Sequence, residues 1–338
     1  MRPLQHRGFR AGFRAYDALV DRFAGGVDQV DALEEAMART GMVQLALRRS
    51  ARTLLPLACL YDYAFETNAP NEKYSLCPEF ANAARRGEDL GQLGCFTDSC
   101  SERGDRTLCP SGFWGFRHDI GAPVDIDVGR PAATGVSRGA GLHLTVGVST
   151  DSNLVERAPH VSVLHQLCPD PSWHYAESRN RLFGLMRTAP SQIVYLYCHA
   201  GVQGRVPYLQ VGPLAELGIT RDNIRHQRVR WTEPRPLVFI NGCQSGAVEP
   251  ELALDLVSGF ITTAGAAGVI GTEITVFEPL ARVIAESALT AFLAGAPIGR
   301  AMRHARLTLL SKGNPLGLAY LTFALASLAL DPPADAST

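Results

Sequence analysis

The sequence predicts an α/β protein with a mostly parallel central sheet flanked by helices, and three observations predict it. Beyond Arg138, short runs of β-formers alternate with amphipathic stretches, the pattern of parallel strands joined by crossover helices. The later helical stretches share one punctuation, Pro at the first turn and Gly just past the last, at Pro250 and Gly265, Pro279 and Gly295, and Pro297 and Gly313. The chain, 338 residues with 46% hydrophobic and 19% charged, is also long and apolar enough to bury a sizeable core.

Taken in order, residues 16–49 carry apolar side chains at Leu19, Val20, Phe23, Val27, Val30, Leu33 and Met37. That three-to-four spacing predicts helix and makes 1–50 an N-terminal helical segment. Residues 54–63 read as extended. Residues 66–110, with Asn, Pro, Gly and a charge run at 85–89, read as a long irregular insertion. Strands are expected at 142–149, 193–198, 236–240, 267–271 and 318–323. Helices are expected at 176–186, 250–263, 279–294 and 297–310, with a polar connection over 202–234. The main domain then spans 51–330, and 331–338 is expected to fray.

Charge and cysteine usage exclude several classes. The formal net charge is −1 and the pI about 6.8, so no global basic field points to nucleic acid or an anionic membrane. Positive charge is almost all arginine, lysine occurring only at Lys73 and Lys312. The uncharged apolar stretch 316–330 falls short of the roughly 18 to 20 residues of a membrane helix. Residues 1–13 lack the apolar core of a secretory signal, and a cytoplasmic setting is expected. Eight cysteines, with no CxxC pair, argue for reduced thiols rather than a disulfide framework. Cys77, Cys95, Cys100 and Cys109 fall within the insertion at spacings too irregular for a zinc knuckle, so they read as ordinary buried or loop thiols and no metal is expected.

In an open α/β sheet, sites form where loops leave the carboxyl ends of strands. Ile193-Val-Tyr-Leu-Tyr-Cys198 delivers His199, and Leu237-Val-Phe-Ile-Asn-Gly242 delivers Cys243. If these strands are neighbours, imidazole and thiol leave the same edge within reach of each other. A thiol becomes a competent nucleophile when a base takes its proton, and imidazole has the pKa for that and for protonating the leaving amine. The small residues Gly242, Ser245 and Gly246 let a substrate backbone approach. Backbone N–H groups there could hold an oxyanion, worth about 3 kcal/mol per donor. Taken singly, a His after an apolar strand is more often structural, and a Cys after a buried strand is usually an inert small hydrophobe. Their matching positions at successive strand ends favour chemistry.

Several separate motifs, Tyr197-Cys-His-Ala-Gly201, Leu237 to Gly246 and Ala264-Gly-Ala-Ala-Gly-Val-Ile-Gly-Thr272, resemble the CHAT family of caspase-related proteases. The likeness continues through Phe292-Leu-Ala-Gly295, Ile298 to Arg306 and Asn314 to Tyr320. It reaches back to Leu60-Tyr61-Asp62 and Cys109-Pro-Ser-Gly-Phe-Trp-Gly115, so it covers about residues 51–325. The resemblance implies a caspase-haemoglobinase-like three-layer sandwich and a cysteine endopeptidase with Cys243 as nucleophile and His199 as base, without metal or organic cofactor. It further implies an oxyanion hole from the N–H groups of Ala200, Gly201 and Cys243, and a protein or peptide substrate. Family analogy adds a regulatory protein partner, in a bacterial defence or cell-death setting. Gly242, Ser245 and Glu273 are the pocket candidates, Glu273 suggesting Arg or Lys before the cut. The family has Gly where this chain has Ala200, a position that alanine would strain if φ were positive. That substitution favours the alternative, a non-catalytic caspase-like adaptor.

Overall fold

The strands of the central sheet follow the chain as β1 (Leu144–Val148), β2 (Trp173–Ala176), β3 (Ile193–Gln203), β4 (Val206–Gln210), β5 (Leu237–Gly242), β6 (Gly268–Thr272) and β7 (Tyr320–Phe323). The computed structural model describes every residue except 1, 24–25, 47–54, 99, 125–130, 140, 243–249, 273, 275 and 333–338, and of 2–6, 23, 27 and 250–253 the backbone alone. Across the sheet the order is β7-β6-β5-β3-β1-β2, with β4 paired to the far end of β3. The five strands β2, β1, β3, β5 and β6 run parallel, whereas β7 and β4 are antiparallel to their neighbours. The sheet is therefore mixed, with an antiparallel edge strand and an antiparallel arm on a parallel core.

A parallel strand buried on both faces needs apolar residues at odd and even positions alike. Ile193, Tyr195 and Tyr197 of β3 enter the core on one face, and Val194, Leu196 and Cys198 the core on the other. The helices Arg157–Leu167, Glu278–Leu293 and Ile298–Ser311 cover the first face with Leu164, Ala281, Ile284 and Met302. The helix Arg179–Thr188 and the helix Pro250–Ser258, which continues as π-helix through Gly259–Ala264, cover the second with Phe183, Val257 and Phe260. Gly265, Gly295 and Gly313 all adopt left-handed φ, as the expected helix stops require.

The first face also buries a continuous polar chain. Asn241 on β5 donates to Tyr195 Oη at 2.7 Å and to the Ala281 carbonyl at 2.8 Å, and accepts from Tyr320 Oη at 2.7 Å. Tyr195 Oη meets His160 Nε2 at 2.7 Å, and His160 Nδ1 meets Glu286 at 2.9 Å. Arg282 joins Glu286 to Glu156, each at 2.8 Å. Burial pushes the Glu286 carboxyl up, yet the His160 and Arg282 contacts outweigh it and hold the group below its usual range.

Tertiary pairing overrides several expectations. Helix was expected through residue 49, but the N-terminal helices are Arg2–Phe23 and Val27–Ala38, and Met42–Gln44 is a strand parallel to Asp119–Gly121. Gln44 Oε1 also accepts from the Ala326 amide at 3.0 Å, contacts that helix periodicity cannot register. The first helix sets Phe9 against Tyr61 and Phe113, each with ring centroids 4.9 Å apart. The helix Arg157–Leu167, the strands β2 and β4 and the helix Arg221–His226 fall where no element was expected. The 66–110 insertion is ordered, with the helix Pro78–Arg86 and a parallel pairing of Ser75–Leu76 with Thr107–Leu108. Of the tail expected to fray, the Asp331 amide bonds the Val136 carbonyl at 3.0 Å, and 333–338 lie outside the described residues. Among the described residues no helix is long and apolar enough to cross a membrane.

Two early motifs also meet. Trp114 Nε1 donates to Asp62 Oδ2 at 3.1 Å, and Arg117 forms a buried ion pair with the same carboxylate. Asp62 N–H bonds the Gly112 carbonyl at 3.1 Å and Trp114 N–H the Leu60 carbonyl at 2.9 Å. Gly112 is required here, since a Cβ would stand 2.4 Å from the Tyr61 ring.

Asn241→Ala should destabilise the fold by about 3 kcal/mol, because it leaves the Tyr320 hydroxyl and the Ala281 carbonyl without this partner. The check is the chemical-denaturation midpoint, read beside Tyr320→Phe, which removes one of the same bonds.

Candidate active site

The parallel pairing of β1, β3 and β5 ends at one edge of the sheet, in the register Val148 with Tyr197 and Cys198 with Gly242, and β3 runs on beyond it to Gln203. The residues that follow Val148, Cys198 and Gly242 therefore leave from one rim. After β1, the Ser149 amide bonds the Tyr197 carbonyl at 2.8 Å, which ties this exit to β3. The chain then turns, and Asp151 Oδ1 accepts from the backbone and side-chain N–H groups of Asn153, each at 3.0 Å. This Asx turn fixes one carboxylate oxygen and leaves the other directed at His199, with Oδ2 to Nε2 at 2.8 Å.

Both side chains are mostly shielded, 13% exposed for His199 and 8% for Asp151. The Asn153 amide, and after it the His199 ring, hold the Asp151 carboxyl below the usual carboxylate range against the opposing effect of burial. With Asp151 ionised, the ring donates from Nε2 and carries its lone pair on Nδ1. A neutral imidazole oriented in this way can take a proton from a group facing Nδ1.

The β3–β4 hairpin decides which backbone donors face the rim. It turns through Gly204 and Arg205, both at positive φ, and pairs Gln203 with Val206, Gly201 with Tyr208 and His199 with Gln210. Val202 faces Pro207, which has no N–H, and Leu209 spends its N–H and carbonyl on Ile219 at 2.9 and 2.7 Å. Hydrogen-bonded pairs therefore fall at 199, 201 and 203, so the Gly201 N–H is directed at β4. The Ala200 N–H points to the opposite side, where a Cβ on Gly242 would stand 3.6 Å from Ala200 N and 3.3 Å from Ala200 Cβ. Ala200 lies in extended strand and not among the positive-φ residues, so alanine is unstrained there.

Of the residues singled out in the sequence, His199, Ala200 and Gly242 converge on this rim, whereas Gly201, expected as an oxyanion donor, spends its N–H on the β4 side. Cys243 and Ser245, immediately beyond β5, and Glu273, immediately beyond β6, lie outside the described residues. Asp151 was legible only as part of a turn, although a carboxylate three residues past a strand at the same edge was the available signal. An open cleft of about 550 Å³ along β4, lined by Arg205, Pro207, Arg221, Arg230 and Asp255, includes neither Asp151 nor His199.

Residues 159–320, which hold β2 through β6 and the His199 rim, match the family model of the CHAT domain. The chain carries a CHAT domain. It is also 42% identical, over 344 aligned residues, to a protein named "probable protease" from Vitiosangium sp. (strain GDMCC 1.1324). That match takes in 97% of this chain and 44% of the relative, so the chain spans less than half of the relative's length. The CHAT match begins after Asp151, so the residue that orients His199 comes from the strand exit preceding the matched stretch.

The depressed Asp151 pKa sets a pH expectation. A carboxylate lowered in the folded state contributes above its unfolded value and is lost only as pH falls through the lower folded value. The His199 Nε2–H resonance should therefore remain protected from exchange down to the usual carboxylate range, about pH 4, and disappear below it. In Asp151→Ala it should be absent at every pH, as read by proton NMR of ring-labelled protein.

Proposed function

We propose that this chain is a cysteine peptidase that hydrolyses peptide bonds with Cys243 as nucleophile and His199 as general base, oriented by Asp151. The observation that carries the reading is the Asp151–His199 pair at the strand exits beside Gly242, the residue that directly precedes Cys243. A trans peptide separates successive Cα atoms by 3.8 Å, so a thiol at 243 starts within one residue of the His199 rim. The CHAT match and the relative's name support peptidase chemistry.

In this mechanism His199 takes the Cys243 thiol proton and the thiolate adds to the scissile carbonyl carbon. The oxyanion accepts hydrogen bonds from the Ala200 N–H and that of Cys243, each worth about 3 kcal/mol. Collapse breaks the C–N bond, and the imidazolium returns its proton to the leaving amine. Water, deprotonated by the same ring, then hydrolyses the thioester. Asp151 holds the tautomer and stabilises the imidazolium without accepting the proton. Specificity is proposed to rest on Glu273, at the exit of β6 next to β5, which would favour Arg or Lys before the cut. A regulatory protein partner in a defence or cell-death setting belongs to the same reading, by analogy with the family.

A thiol-reactive peptide probe tests the nucleophile, since the other seven cysteines are buried or, for Cys59, half-buried. Labelling and peptide hydrolysis should vanish in Cys243→Ala and fall by about 10²- to 10⁴-fold in His199→Ala. Asp151→Asn should lower kcat by on the order of 10²-fold through loss of ring orientation. Hydrolysis that survives Cys243→Ala would overturn Cys243 as the nucleophile, and wild-type protein that neither takes the label nor hydrolyses peptides would leave the adaptor. A fluorogenic panel in which acidic substrates are cut and basic ones ignored would reject the Glu273 assignment alone.

A further inference from the structure

Four cysteines that sequence spacing scattered are gathered into one buried cluster. The Sγ atoms of Cys77, Cys95, Cys100 and Cys109 all lie within 4.8 Å of one another. Cys77 stands 3.8 Å from Cys95 and 3.6 Å from Cys100, and none of the four is more than 1% exposed. A tetrahedral zinc ion with Zn–S bonds of about 2.3 Å sets its sulfurs about 3.8 Å apart. Disulfides need about 2.05 Å and join sulfurs only in pairs, whereas Cys77 here has two near neighbours.

The local fold explains the convergence. Ser75–Leu76 and Thr107–Leu108 pair in parallel, and the Cys77 amide bonds the Leu108 carbonyl at 2.9 Å. Cys77 and Cys109 therefore leave adjacent strand ends side by side, each as the residue that starts a helical turn. Cys95 comes from the helical turn Gly94–Thr97 and Cys100 from just after it. Phe80, Leu90, Phe96 and Leu108 of the same stretch are buried in the same core as the four cysteines. A polar shell touches two of the sulfurs. Ser111 Oγ lies 3.1 Å from Cys109 Sγ and is itself 3.2 Å from Tyr63 Oη, and Glu79 Oε2 accepts from Cys95 Sγ at 3.1 Å.

We propose that Cys77, Cys95, Cys100 and Cys109 bind one structural zinc ion that fastens the 66–110 segment. The ion replaces the four thiol protons, which leave to solvent, and a neutral cluster becomes a tetrathiolate of net charge −2. Glu79 is half-buried, so it can turn to water once Cys95 loses its proton. Ser111 remains as a donor to the Cys109 sulfur. Four buried protein ligands leave no open coordination position, which makes the site structural rather than hydrolytic. The sulfurs are also too close together to enclose several irons with bridging sulfide. A segment whose longest helix is nine residues and whose strands are two residues each has little core of its own, and a metal supplies the missing cross-link. The proposal is independent of the peptidase reading.

Full-length protein purified without chelator should contain one zinc per chain by elemental mass spectrometry. The zinc should be lost in a Cys77→Ser/Cys109→Ser double variant and retained in Cys59→Ser and Cys168→Ser. Ser111→Ala should weaken affinity about tenfold in competition with a chromogenic chelator. Should the double variant fail to fold, cobalt-exchanged wild type decides. It should show the strong visible bands and thiolate-to-metal charge transfer of a tetrahedral all-thiolate site. Folded wild-type protein without metal, iron in place of zinc, zinc retained in the double variant, or a weak six-coordinate cobalt spectrum would each overturn the assignment.

Discussion

The rim depends on the in-register parallel pairing of β3 with β5, six residues from Ile193 with Leu237 to Cys198 with Gly242. Because side chains alternate at a period of two, a slip of one residue would turn every core-facing side chain of β5 to the other face and carry Gly242 away from Ala200. Apolar demand from helices on both faces sets this register, and the same register aligns the strand exits. The grouping of side chains at the edge is therefore a by-product of packing in the middle. Asp151 joins by the same logic, since β1 pairs with the other side of β3 and its exit turns back over His199.

A second constraint reinforces the first. Asn241 lies two residues before Cys243 and is hydrogen-bonded to three other elements at once, β3 through Tyr195, β7 through Tyr320 and the Glu278–Leu293 helix through Ala281. A buried polar network tolerates only one arrangement, because any displaced donor or acceptor is left unpaired in a low-dielectric interior. Apolar packing allows small rotations at modest cost. The amide at Asn241 does not, and it fixes the strand that ends at Gly242. The two early motifs converge in the same way, with Asp62, Trp114 and Arg117 joined in one buried cluster.

Much of the sheet was legible in the sequence because its strands are short, continuous apolar runs and its later helices carry Pro and Gly punctuation. Elements that were missed lack those signals for physical reasons. The Arg157–Leu167 helix fully buries only His160 and Leu164, so its periodicity is carried partly by a histidine. β4 contains a proline and joins the sheet through the outer end of β3, and β2 lies at the sheet edge, half-covered. His199 and Gly242 were legible because one directly follows, and the other ends, a continuous apolar run of a core strand. Asp151 was not, since its role arises only when the β1 exit folds over a strand 48 residues away.

The sequence by itself determined the α/β class and the sheet's central strands, with His199 directly after the apolar run 193–198 and Cys243 directly after the run 237–242, because local periodicity and chain punctuation encode these directly. Only the tertiary structure decided that the sheet is mixed, that Asp151 orients the histidine, that Ala200 rather than Gly201 turns its amide toward Gly242, and that four irregularly spaced thiols share one buried centre. Each of these is a distance between residues remote in the chain. Such distances are set by the collective register and packing of many elements, and no local run of residues carries them.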